Sequence, residues 1–140
     1  MIQTLGLIES TILLLLSVLH FYWALGGKWA FAAALPTNEE GKRMLNPKKK
    51  DSLIVGFGLL MFAVFYFIKT DLILFPLPQW IIQYFGWVIA VIFILRSVGD
   101  FKYIGFFKKI RTTPFGKNDS KYYSPLCLFI GMVAVLIQLL

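Results

Sequence analysis

Four apolar runs, Thr4–Leu25, Ser52–Ile68, Gln79–Val98 and Tyr123–Leu140, dominate this chain. Each is close to the ~20 residues that cross a ~30 Å hydrocarbon layer at ~1.5 Å per residue. Runs of that length and polarity admit one economical fold: an all-α, integral membrane four-helix bundle of two helical hairpins. Residues 1–140 then form a single transmembrane domain. Composition agrees, because 59% apolar and 15% charged residues cannot be hidden by a soluble fold of 140 residues.

The basic residues fix a direction. Of 14 Lys and Arg, the first connection carries Lys28, Lys42, Arg43, Lys48, Lys49 and Lys50, and the third carries Arg96, Lys102, Lys108, Lys109, Arg111, Lys117 and Lys121. The short second connection holds Lys69 alone. Loops one and three share a side in a four-span chain, so the positive-inside bias predicts a cytoplasmic-membrane protein with both loops cytoplasmic and both termini outside. No Lys or Arg precedes the first run, so that segment is expected to stay as a span. The net charge of +7 forms no separate basic domain, which argues against nucleic acid and for anionic headgroups as the partner. One cysteine, Cys127, and one histidine, His20, exclude an intrachain disulfide, a cysteine zinc site and a bis-histidine haem. No metal or cofactor is expected.

Proline and small residues refine the helices. Ser124-Pro125 reads as an N-cap and first helical residue of the fourth span, and Asn46-Pro47 as an early start for the second. Lipid gives no hydrophobic reward for helix association, so small residues that allow close approach carry the packing. Gly86, Ala90 and Ser97 line one face of the third span; Ser124, Cys127, Gly131 and Ala134 line one face of the fourth. Both stripes are expected to meet neighbouring helices, with Phe and Ile toward lipid. Gly56 and Gly58 offer the second span the same device.

Ionisable groups within spans need partners or a purpose. Glu9 and His20 project from one face of the first helix, about 16 Å apart along it. They suit a polar path or paired proton sites; equally, Glu9 is protonated or reaches water and His20 bonds at the interface. The segment His20-Phe21-Tyr22-Trp23-Ala24-Leu25-Gly26-Gly27 forms either a ligand-contacting aromatic surface or an interfacial belt. Arg96 and Asp100, four apart, are expected to pair if the third helix continues, and Phe101, Ile104 and Phe107-Lys108 to follow as an interfacial segment. Asp119 and Tyr122 join at the same depth. His20, Tyr22, Trp23, Arg96, Asp100, Asp119 and Tyr122 thus compose either a clamp holding loops one and three to the bundle or a shallow pocket for a headgroup.

At these runs the chain resembles the four-span membrane proteins grouped as domain of unknown function family 3995. The likeness rests on His20–Gly27, on Arg96 with Gly99-Asp100-Phe101 and Gly105-Phe106-Phe107-Lys108, and on Asp119 with Tyr122-Tyr123-Ser124-Pro125-Leu126. The resemblance implies the architecture and no activity. The residues favour a non-enzymatic protein that binds a lipid, a small amphiphile or a partner span, a second copy included, through the polar and aromatic cluster. The alternative is a membrane-embedded enzyme using His20 with Asp100 or Asp119 as acid and base. A small transporter or channel component is the third reading, with Glu9 as its one deep charge.

Overall fold

Without an internal proline, the Leu- and Ile-rich start of the chain winds into α1, Ile2–Ala24. A computed structural model describes Met1–Leu140 and continues with α2 (Lys49–Lys69), α3 (Gln79–Val98), the short α4 (Pro114–Asn118) and α5 (Ser124–Leu139). Four of its helical stretches, α4 running on into α5 as one of them, are long and apolar enough to cross a membrane. The protein is an all-helical, multi-pass membrane bundle. Both long loops lie at one end of it, here termed the basic end, and both termini at the other.

Two helix starts differ from expectation. The second helix begins at Lys49, where Asp51 Oδ2 accepts the Lys48 backbone N–H at 2.7 Å and satisfies one of the free amides of the first turn. The fourth begins at Pro114, capped by Thr113, whose hydroxyl accepts the Gly116 N–H at 3.0 Å. Ser124 is therefore not a cap. Its backbone is helical, and the chain reaches it through a π turn, Asp119–Tyr123, in which Ser124 N–H bonds to Asp119 O. A proline ring inside a helix clashes with the carbonyl four residues back, and the wider π turn gives Pro125 the room it needs.

α1 packs antiparallel on α2 through small and hydroxyl residues. Ser10 Oγ donates to Ala63 O at 2.8 Å and, two turns on, Ser17 Oγ donates to Gly56 O at 2.7 Å. Such bonds between membrane helices are worth about 0.6 kcal/mol each. Gly6 lies on the same face, with no room for a Cβ beside Thr70 and the Tyr66 carbonyl. Gly56 abuts the Phe21 ring, whereas a Cβ added at Gly58 would meet nothing within 4 Å, so close approach does not require a glycine there.

α3 and α5 form the second hairpin. Gly131 sits against Ile94 and the Ala90 carbonyl, and Gly86 against Gln138. Ala90, Ser97, Ser124 and Ala134 are buried at this seam, and Cys127 is half-buried. Between hairpins α1 meets α5, and α2 meets α3 through aromatic rings, Phe62 with Phe85 and Phe93 edge-on and Phe65 with Phe85. Hydrogen bonds join the hairpins at the ends, Tyr123 to the Ala33 carbonyl at the basic end and Lys69 to Gln138 at the other. Phe and Ile are not confined to the lipid side. Phe57, Ile54 and Ile92 face outward, while Phe65, Phe93, Ile89, Ile130 and Ile137 fill the core. Lipid and core are equally apolar, so shape rather than hydrophobicity sorts these side chains.

Candidate functional site

The basic end is organised around Asp119, whose side chain is fully buried. α3 cannot continue past Val98, because Gly99 takes φ 85° and ψ −164°, a conformation open to glycine alone. Asp100 then folds the loop onto itself. Its Oδ1 accepts the backbone N–H groups of Lys102, Tyr103 and Ile104 at 2.9, 2.8 and 3.0 Å. Burial alone would raise the Asp100 carboxyl, but these amides outweigh it and hold the group below the usual carboxylate range. Phe106 N–H returns to Ser97 O at 2.8 Å, which places Gly105 flat against the end of α3.

From that position Gly105 N–H donates to Asp119 Oδ2 at 2.8 Å. Lys108 Nζ donates to the same oxygen at 3.0 Å, to Gly105 O at 2.9 Å and to Ser120 Oγ at 2.6 Å, using all three of its protons. Ser124 Oγ completes Oδ2 at 3.0 Å, and Arg96 Nη2 donates to Oδ1 at 3.0 Å. Arg111 staples the loop from outside through the Lys108 and Phe106 carbonyls. The result is a buried carboxylate held between two cations, with four donors on its two oxygens.

Arg96 therefore pairs with Asp119 and not with Asp100, which lies exposed in its own turn. Residues 101–109 form no helix: Phe101 and Gly105 both have positive φ, and Asp100 has claimed the amides a helix would begin with. His20 sits apart. Its Nδ1 lies 2.7 Å from Leu16 O, and its ring packs edge-on to Trp23 beside a cavity of about 170 Å³ shared with Phe31, Leu35 and Pro47. Trp23 and Tyr22 serve the chain reversal, Nε1 of Trp23 donating to Trp29 O at 2.9 Å and the Tyr22 hydroxyl accepting Trp29 N–H at 3.3 Å. Tyr122 is exposed, with the Lys121 ammonium 5.0 Å from its ring. Of the polar and aromatic residues singled out from sequence, Arg96 meets Asp119 and His20 packs on Trp23. His20 hydrogen-bonds to neither Asp100 nor Asp119.

A second feature lies on the outer surface of the same end. A cleft of about 520 Å³ there is walled by Phe21, Ala24, Leu25, Leu53 and Phe57 of α1, α2 and the turn after α1, with Lys49 and Lys50 in its lining. The Lys49 ammonium reaches toward Gly26, at the carbonyl-rich end of α1 where a cation is favoured.

A family profile described as "Protein of unknown function (DUF3995)" matches residues 13–134. The chain belongs to this DUF3995 family. No curated protein and no solved structure matches it. The DUF3995 region holds the whole Asp119 network and the α1–α2 cleft, while Glu9 and Gln138 fall outside it. Sequence reasoning put Lys108 in an interfacial segment and missed that its side chain is wholly buried, and it missed both cleft lysines as a pair. A lysine in a basic loop reads as solvated, and the one available signal was the glycine three residues before Lys108.

Proposed function

We propose that this DUF3995 protein is a non-enzymatic membrane protein that binds an anionic lipid, or a small anionic amphiphile, in the α1–α2 cleft at the basic end. The observation that carries this is the cleft's lining: two lysines over a trough of Phe, Leu and Ala. Headgroup phosphate meets the ammonium groups, and an acyl chain lies along Phe21, Leu53 and Phe57. The Asp119 network is the poorer host, because its carboxylate and the Lys108 ammonium already have partners. It serves as the clamp that holds loop three on the bundle. The skewed distribution of Lys and Arg supports a cytoplasmic position for this end, where anionic lipid surfaces concentrate.

Near such a surface each lysine is worth about 1 kcal/mol, so Lys49→Ala with Lys50→Ala should weaken binding of phosphatidylglycerol roughly 10- to 30-fold. Native mass spectrometry of the detergent-purified chain, titrated with phosphatidylglycerol and phosphatidylcholine, measures this. Equal retention of the two lipids by the unmutated chain, or no loss in the double variant, would refute the reading. Orientation is checked separately. Tags fused to either terminus should react with impermeant reagents added to intact cells, and protection of both until lysis would reverse the topology.

A further inference from the structure

The cavity of about 170 Å³ beside His20 lies between the last turns of α1, loop one and the first turns of α2. It shares no lining residue with the α1–α2 cleft. Its walls are aromatic. Trp23 stands next to both His20 and Phe31, with ring centroids 4.9 and 5.6 Å away. The indole is fixed, because Nε1 donates to Trp29 O at 2.9 Å and so offers the cavity no donor.

The hydrogen-bonding side chains left in the lining are His20, Asp51 and Ser52. His20 Nδ1 lies 2.7 Å from Leu16 O, and a carbonyl can only accept. Nδ1 therefore carries a proton, and in the neutral imidazole Nε2 keeps its lone pair. Asp51 Oδ2 takes the Lys48 backbone N–H, which leaves Oδ1 outside the cap. Ser52, 6% exposed, adds a hydroxyl that can accept or donate. Asp51 is also the only charged residue in the lining. Of the lysines nearest in sequence, Lys49 reaches toward Gly26, Lys50 lines the cleft and Lys48 is exposed. The carbonyl-rich end of α1 adds partial negative charge, and Asp51 offsets the partial positive charge at the start of α2.

Acceptors, one negative charge and aromatic walls fit a solute of the opposite kind, with donors and a positive charge. We propose that this cavity binds a primary ammonium group on a compact head of the size of ethanolamine. The ammonium donates to His20 Nε2, Asp51 and the Ser52 hydroxyl, and its carbon chain rests against Trp23 and Phe31. An anion would meet the Asp51 carboxylate and find one side-chain donor, the Ser52 hydroxyl. Zinc takes about four ligands, and His20 with Asp51 supplies two. The same ammonium occurs in free amines and in the headgroup of phosphatidylethanolamine.

Saturation-transfer NMR of the full chain in phosphatidylcholine nanodiscs tests this, with ethanolamine as the probe and empty nanodiscs as the baseline. The trimethylammonium of that lipid has no N–H and cannot take the site. At about pH 8, between the ordinary titrations of an imidazole and an alkyl ammonium, ethanolamine should bind with a Kd on the order of 1 mM. Ethylene glycol, of the same size and neutral, should receive far less saturation. Asp51→Asn keeps an oxygen for the Lys48 amide and removes the charge, so binding should weaken about 5-fold or more. Val55→Phe, at an exposed position in the lining, fills the cavity and should abolish the signal without altering charge. Nanodiscs containing phosphatidylethanolamine separate the two sources. Loss of the free-amine signal there assigns the site to the lipid headgroup, and persistence assigns it to a soluble amine. No greater transfer to ethanolamine than to ethylene glycol would overturn the proposal, as would unchanged binding in either variant that retains the fold.

Discussion

Asp119→Ala is expected to destabilise the protein by about 3–5 kcal/mol, the usual result of removing one partner from a buried ion pair. The cause is specific. Lys108 would stay buried with a positive charge and only neutral acceptors, Gly105 O and Ser120 Oγ, while Gly105 N–H and the Ser124 hydroxyl would lose theirs. In detergent the melting temperature should fall by ~10 °C. Adding Lys108→Met to Asp119→Ala should recover part of the loss, because the stranded charge goes with it and a flexible apolar chain fills the space. Thermal unfolding of the four proteins of that cycle gives the coupling directly. If Asp119→Ala melts like the unmutated chain, the carboxylate is not the hub of the loop.

Gly131→Leu should have the second-largest effect, a loss of about 3 kcal/mol or more. A Cβ at this position falls 2.7 Å from Ile94 Cγ1, 3.1 Å from the Ile94 nitrogen and 3.3 Å from the Ala90 carbonyl, before any further carbon is added. Two of these neighbours are backbone and cannot rotate away. α3 and α5 must then move apart, giving up dispersion contacts at Ala90, Ala134 and Ile130 that lipid tails replace only loosely. Gly131→Ala should cost about 1 kcal/mol on the same grounds, so the two variants form a graded series in melting temperature. An unchanged midpoint for the leucine variant would mean that this seam does not hold the hairpin together.

The spans could be read from the chain because the bilayer imposes a length and charge imposes ends. Where those two rules stopped, sequence reading stopped too. Thr113-Pro114 and Ser124-Pro125 carry the same hydroxyl–proline signal, and only the first is a helix start. The choice is made by Asp119, which recruits the second hydroxyl from five residues away, and no local pattern records that demand. Arg96 and Asp119 were visible as polar residues of similar depth, but their pairing depends on the reversal at Gly99, which brings Asp100 out of reach. The Gly6, Ser10 and Ser17 face of α1 was present at helical spacing and was overshadowed by Glu9 and His20.

Pins at top and bottom, with unfastened aromatic rings between them, make the join between the hairpins anisotropic. Tyr123 and Gln138 tie the hairpins through directional hydrogen bonds, whereas Phe62, Phe65 and Phe85 meet through van der Waals contact between ring edges and faces. Sliding one hairpin past the other along the membrane normal would therefore break both end bonds, whereas a small turn of the rings would leave both intact.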